Sequence, residues 1–252
     1  MSDKVVVLIT GANRVPKGLE MVFCRTYLAR PKHIVVAGVR DPGSASSQNI
    51  QMLPRGMDSQ AIVVKLDSTS GTDARAAVET LTSKYSLTKL DIVIANAGIS
   101  KYFGAASVTP AQEMSDHFVV TLSHRYSCFK LPLLFSKQHR LQNSWSCHPV
   151  PGSLSQVVKL PVENTAYGAS KAAVNYVSRR IHYENPYLTA FALNPGWLQT
   201  ELGNHAARGV GMAAAPVSVQ DGVNGMIERI DRATREGSSG KFLSFNGEEI
   251  PW

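Results

Sequence analysis

The sequence predicts an α/β chain built on a doubly wound parallel sheet with helices on both faces. Three observations predict it. Short, continuous apolar runs rich in β-branched residues recur along the chain, and such runs suit parallel strands covered on both sides. Segments with apolar residues at helical spacing lie between them. The two patterns alternate through all 252 residues without a linker, an internal repeat or a low-complexity tract, so a single domain over 1–252 is expected.

The first run is Val5–Thr10 (VVVLIT), followed by His33–Val39 (HIVVAGV), Ala61–Asp67 (AIVVKLD) and Leu90–Ala97 (LDIVIANA). Leu188–Leu193 (LTAFAL) and Lys241–Phe245 (KFLSF) complete the set. Among the helices, Asp73–Tyr85 places Ala76, Ala77, Leu81 and Tyr85 near helical spacing. Ala166–Glu184 is rich in Ala, Lys and Arg and opens after Asn164 and Thr165, both capping residue types. Val217–Thr234 carries Val219, Val223, Met226, Ile227 and Ile230 on one face. Between the fourth run and Leu188 no strand is expected. Gln142–Pro151 (QNSWSCHPVP) has two prolines and few apolar residues where a central parallel strand is normally continuous and apolar.

Apolar residues make up 44% and charged residues 18%, a composition that excludes disordered, collagen-like and disulfide-stapled chains. No apolar run approaches the ~18–20 residues of a membrane span. Met1-Ser2-Asp3-Lys4 leads straight into the first run without a charged n-region or cleavage site. No signal peptide, no membrane partner and a cytoplasmic location are therefore expected. The three cysteines, Cys24, Cys128 and Cys147, have no metal-ligand spacing, and neither do His117, His124, His139 and His148, so free thiols and no metal are expected. The net charge is +7, and four of the excess cations (Arg125, Lys130, Lys137, Arg140) fall in the acid-free stretch Leu122–Pro151. That stretch has no glycine-rich or aromatic-interleaved motif, so it reads as local excess charge with no nucleic-acid partner.

The chemistry-bearing motifs sit where the apolar runs end. The first run ends in Thr10-Gly11-Ala12-Asn13-Arg14, where a glycine lets the chain turn tightly against a dinucleotide pyrophosphate. The second ends in Gly38-Val39-Arg40-Asp41. An arginine there suits a 2′-phosphate and hence NADP(H), although Asp41 follows it. The third ends at Asp67, whose carboxylate can hydrogen-bond an adenine or cap a helix. The fourth ends in Asn96-Ala97-Gly98, small residues that admit a ribose, with Asn96 able to tie neighbouring strands together. The sharpest signal is Tyr167-Gly168-Ala169-Ser170-Lys171. Four residues apart on a helix, Tyr167 and Lys171 share a face. An ammonium beside a phenol favours the phenolate, so such a tyrosine can exchange a proton with a carbonyl or alcohol oxygen.

Together, TGANR (10–14), NAG (96–98), YGASK (167–171) and NPGWLQT (194–200) make the chain resemble the short-chain dehydrogenase/reductase family over nearly its whole length, with a Rossmann-like single domain. Tyr27-Leu-Ala-Arg-Pro31, Ala37-Gly-Val-Arg-Asp-Pro42, Ile181-His-Tyr-Glu-Asn185 and the closing Ile250-Pro251-Trp252 are similar to the fungal norsolorinic acid ketoreductase branch. The resemblance implies an NADPH-dependent ketoreductase acting on an aromatic polyketide ketone in fungal secondary metabolism, on the route to mycotoxins of the aflatoxin type. It implies Tyr167 as acid/base and Lys171 as the group that binds the nicotinamide ribose and tunes Tyr167. It places Pro195, Gly196 and Thr200 at the nicotinamide carboxamide. A homodimer or homotetramer through helices near Met114–Lys137 and Ala166–Glu184 is also implied.

Three departures from the family pattern bear on catalysis. The glycine-rich turn continues as Val15-Pro16-Lys17-Gly18, without its middle glycines. Where the family brings an asparagine towards the site, the chain reads Val119-Val120-Thr121-Leu122. The serine expected about 13 residues before Tyr167 has no clear counterpart: Leu154 or Pro149 falls at that register, Ser153 and Ser155 lie nearby, and Ser153 is taken as the candidate. The stretch 122–151 is therefore read either as diverged in a chain that lost catalysis or, by preference, as a frame-shifted segment returning to register at Gly152. Irregular chain in place of a fifth strand is expected, with no serine hydroxyl in reach of Tyr167. The competing reading is a catalytically impaired dinucleotide-binding homologue with a structural or regulatory role.

Overall fold

The computed structural model describes residues 3–12, 18–123, 128–129, 131, 135, 143–147, 152–159 and 162–252. Seven strands form one sheet: β1 (Val5–Thr10), β2 (His33–Val39), β3 (Gln60–Lys65), β4 (Ile92–Ala95), β5 (Asn143–Cys147), β6 (Thr189–Asn194) and β7 (Phe242–Ser244). Their order is β3-β2-β1-β4-β5-β6-β7 and every pairing is parallel. The predicted doubly wound parallel sheet is thus the one observed. The order turns back on itself at β1 and β4, the crevice where ligands of open α/β sheets bind.

Among the described residues the α-helices with full bounds are α1 (Leu19–Leu28), α2 (Ala45–Gln51), α3 (Asp73–Tyr85), α4 (Ala111–Phe118), α5 (Thr165–Glu184), α6 (Glu201–Gly209) and α7 (Val219–Asp231). The alternation of side chains along β1 distributes them between two cores. Val7 and Ile9 pack with Phe23, Tyr27 and Leu28 of α1 and with Val223, Met226 and Ile230 of α7. Val6 and Leu8 face the other way, onto Ala77, Val78 and Leu81 of α3. Continuous apolar strands are needed because both faces are covered.

One expectation is overturned. A fifth strand exists: Asn143-Ser-Trp-Ser-Cys147 pairs with β4 from Asn143↔Ile92 to Ser146↔Ala95 and with β6 from Asn143↔Thr189 to Cys147↔Leu193. A ladder is made by backbone N–H and C=O groups, which every residue but proline supplies, and Pro149 and Pro151 fall beyond the strand. Two strong apolar neighbours with a gap between them recruit a polar segment. Asn164 occupies the N-cap position of α5, as read, but without the side-chain bond. It is held through an isolated backbone bridge to Gly104.

Candidate active site

The carboxyl ends of β1, β4, β5 and β6 build the site. Gly11 turns the chain after β1 at φ +73°, a conformation that costs other residues more than glycine, and a Cβ there would lie 3.2 Å from Ala97. Its N–H and that of Ala12 donate to the Gly38 carbonyl at 2.9 and 3.3 Å, locking the β1 turn to β2. Asn13 and Arg14 lie outside the described residues. Asn96 ties the neighbouring pieces together, as its position predicts. Its backbone N–H donates to Thr10 Oγ1 (3.1 Å) and its amide to Glu20 Oε1 on α1 (2.6 Å).

At the end of β2, Arg40 is exposed and makes no hydrogen bond or ion pair among the described residues. It faces Asp67 closely enough to favour that carboxylate's charge, though the main causes holding Asp67 below the usual carboxylate range are hydrogen bonds from Thr69. Asp67 Oδ1 accepts from the backbone N–H and the hydroxyl of Thr69 at 2.9 and 2.8 Å, a local turn, while Thr72 occupies the N-cap position of α3. Of the two sequence readings of Asp67, the helix cap is not made.

On α5, Tyr167 and Lys171 stand one turn apart, as predicted, with Lys171 Nζ 5.3 Å from the Tyr167 ring centroid. Lys171 is buried, and a Cβ on Gly98 would lie 3.3 Å from its Nζ and 3.8 Å from Thr121 Oγ1. The β4 turn and the helix after it therefore converge on the lysine. α4 runs into a π-helical turn at Val119–Ser123, and such turns cluster at functional sites. Within it Thr121 is fully buried, and its hydroxyl has no hydrogen-bond partner among the described residues. One turn earlier, the buried His117 ring is held at both nitrogens: Nδ1 lies 2.7 Å from the Glu113 carbonyl and Nε2 accepts from Lys101 N–H at 3.4 Å.

Gly152 packs onto α5 at Lys171, where a Cβ would approach Lys171 Cβ to 2.8 Å, and Asn175 Nδ2 donates to the Gly152 carbonyl at 2.8 Å. Ser153 is adjacent in the chain. Its buried hydroxyl donates to the Pro251 carbonyl (2.5 Å) and accepts from Gln156 N–H (3.2 Å). Ser155 similarly donates to the Trp252 carbonyl at 2.8 Å. Both hydroxyls hold the C-terminus.

After β6, Gly196 turns at φ +81°, and a Cβ would meet the Phe245 ring at 2.8 Å. Asn194 Oδ1 accepts from Gly196 N–H at 3.2 Å, which shapes the Pro195-Gly196 turn. Thr200 caps α6 by accepting from Gly203 N–H at 3.0 Å. The sequence reading missed α6 altogether, although Thr200 followed by Glu201 is an N-terminus signal. It also missed Phe103 and His205, whose rings meet with centroids 5.5 Å apart; neither residue lies in a motif. Among the described residues no cluster of three or more His, Cys, Asp or Glu is arranged to hold a metal ion.

A left-handed glycine closing the first strand of a parallel sheet, with a buried lysine beside a tyrosine on the helix after the fifth, defines a class of dinucleotide-dependent oxidoreductases, the short-chain dehydrogenases/reductases. The chain belongs to this family: the model described as enoyl-(acyl carrier protein) reductase matches residues 28–234. Norsolorinic acid ketoreductase of Aspergillus parasiticus is 37% identical over 99% of this chain and 92% of that protein. The Dothistroma septosporum norsolorinic acid ketoreductase is 35% identical over 100% of this chain and 94% of its own. The crystal structure of NADPH-bound carbonyl reductase from chicken fatty liver superposes with a TM-score of 0.84 at 24% identity, covering 99% of this chain and 100% of that one.

Proposed function

We propose that the protein is an NADPH-dependent ketoreductase that reduces a ketone on an aromatic polyketide. The observation that carries the reading is Lys171 Nζ held 5.3 Å from the Tyr167 ring beside the small Asn96-Ala97-Gly98 turn. The cofactor reading is supported by the left-handed Gly11 turn and by Arg40, an exposed guanidinium at the end of β2 that makes no hydrogen bond or ion pair among the described residues. The NADPH-bound neighbour supports the cofactor further, and the two norsolorinic acid ketoreductases support the ketone.

When bound, NADPH would supply a hydride to the carbonyl carbon. Tyr167 gives its phenolic proton to the carbonyl oxygen, so ketone becomes alcohol. The Lys171 ammonium favours the negative charge that develops on the phenol and would hold the ribose. Asn96, Pro195 and Gly196 shape the floor and the carboxamide side of the cofactor site. Ser153 receives no proton in this scheme.

The commitment of Ser153 to Pro251 favours a second reading, a dinucleotide-binding homologue with impaired catalysis. One experiment separates the two. Tyr167→Phe keeps the ring and removes the proton donor. NADPH-dependent reduction of an aromatic ketone should fall by about 10²–10⁴-fold with the melting temperature unchanged. A wild-type chain that binds NADPH and reduces nothing supports the second reading instead.

A further inference from the structure

Two loops meet across the site. In the strand order β4-β5-β6 the carboxyl ends of all three strands lie on one edge, because every pairing is parallel. Phe103 follows β4 and His205 follows β6, and their rings meet. α5, with Tyr167 and Lys171, is the helix that follows β5.

Each partner is fixed by its own stitching. On one side, Gly104 N–H donates to the Glu163 carbonyl at 2.9 Å, and Thr165 donates to the Gly104 carbonyl through its hydroxyl at 3.2 Å. Phe103 is thereby pinned beside the first turn of α5, two residues before Tyr167. Tyr102 lies over Gly104 and donates to the Val108 carbonyl at 3.0 Å, which stiffens the same loop. On the other side, the segment carrying α6 is an excursion closed at its stem by the Leu198↔Val217 bridge. Trp197 Nε1 donates to the Gly203 carbonyl at 2.9 Å, and Asn204 Oδ1 accepts from Ala215 N–H at 3.0 Å. Within α6 only Ala207 is buried. The excursion is thus internally braced and lightly packed, so it can shift as a unit without exposing much apolar surface.

We propose that Phe103 and His205 form the aromatic subsite that selects a flat, multi-ring ketone. The ketone's rings lie against the fixed Phe103 ring, and His205 closes on their other face. This deepens the ketoreductase reading and rests on it. The two centroids are 5.5 Å apart at a tilt of 50°. A flat ring system held between two others needs about 7 Å, two contacts of about 3.5 Å each. The pair therefore opens by about 1.5 Å, which the braced α6 excursion can supply from its stem. A small aliphatic ketone has no ring face to offer and passes to Tyr167 without using the pair.

The test compares acetylnaphthalene, a flat two-ring ketone, with diacetyl, a small one, using the full chain and NADPH. Stacking of this kind corresponds to a change of about 2–12-fold. Phe103→Ala should raise KM for acetylnaphthalene within that range while leaving KM and kcat for diacetyl within about twofold. Phe103→Leu keeps bulk without a ring and should behave the same way if Phe103→Ala melts early. His205→Ala should raise the acetylnaphthalene KM, and His205→Phe should restore it. Equal effects on both ketones, or none on acetylnaphthalene, would overturn the subsite. If the wild type reduces neither ketone, the ketoreductase reading fails, and equilibrium dialysis of acetylnaphthalene with the NADPH-loaded protein decides the subsite. Weaker binding by Phe103→Ala upholds it, and equal binding rejects it.

Discussion

Ser153 and Pro251 are 98 residues apart in the chain, yet the Ser153 hydroxyl donates to the Pro251 carbonyl at 2.5 Å. The bond fastens the C-terminus to the segment that leaves β5 and lies against Lys171. Phe242 and Trp252, stacked with centroids 5.5 Å apart, and Arg179, 5.5 Å from the Trp252 ring centroid, extend the same fastening. The end of the chain therefore buttresses the back of α5 behind the Tyr167–Lys171 pair.

Ser153→Ala should cost stability rather than chemistry. It removes a buried hydroxyl and leaves two partners unpaired, a loss of about 1–2 kcal/mol. Urea unfolding should show that loss, while kcat per folded molecule stays at the wild-type value. A collapse of kcat at unchanged stability would return Ser153 to the proton path.

Arg40→Ala should weaken NADPH far more than NADH, because only NADPH carries a 2′-phosphate. A charge-assisted contact is worth about 1.5–3 kcal/mol, or roughly 10–100-fold in Kd. Fluorescence titration with both cofactors measures the difference, and equal losses would remove Arg40 from the cofactor site.

Thr121→Val should stabilise the fold. The buried Thr121 hydroxyl has no partner among the described residues, and an unsatisfied buried hydroxyl costs about 1–3 kcal/mol. Valine has nearly the same shape without that penalty, so the urea midpoint should rise. A fall would mean that the hydroxyl is bonded in solution.

His182 should make stability depend on pH in the weakly acidic range. Burial, then the nearby Arg235 and Arg179, hold it below its usual 6.5. Its Nδ1 lies 2.8 Å from Ser239 Oγ, which also accepts from Arg235 at 3.2 Å and from Ala190 N–H at 2.9 Å. With the folded value depressed, the unfolded chain takes up a proton first as pH falls. The stabilisation is complete above about pH 6.5 and drains away as pH drops from there to the folded value. Denaturant midpoints for the wild type and His182→Asn should diverge above pH 6.5 and converge below it.

What the sequence determined by itself is local. β1 and β2 have the limits read from VVVLIT and HIVVAGV, because a continuous β-branched run suits a strand covered on both faces. Tyr167 and Lys171 share a helix face because four residues make about one turn. Gly11 was legible because a glycine closing the first strand admits a positive φ. What only the tertiary structure decided is non-local. β5 is a strand because β4 and β6 stand on either side of it with open ladders, and nothing in Asn143-Ser-Trp-Ser-Cys147 shows that. The Ser153 hydroxyl is bonded to Pro251 because the C-terminus, arriving 98 residues later, offers it a carbonyl. Phe103 and His205 become neighbours only because parallel strands put the loops after β4 and β6 on one edge of the sheet. Periodicity reports which face of an element is buried; the partner that covers that face is chosen when distant segments pack together.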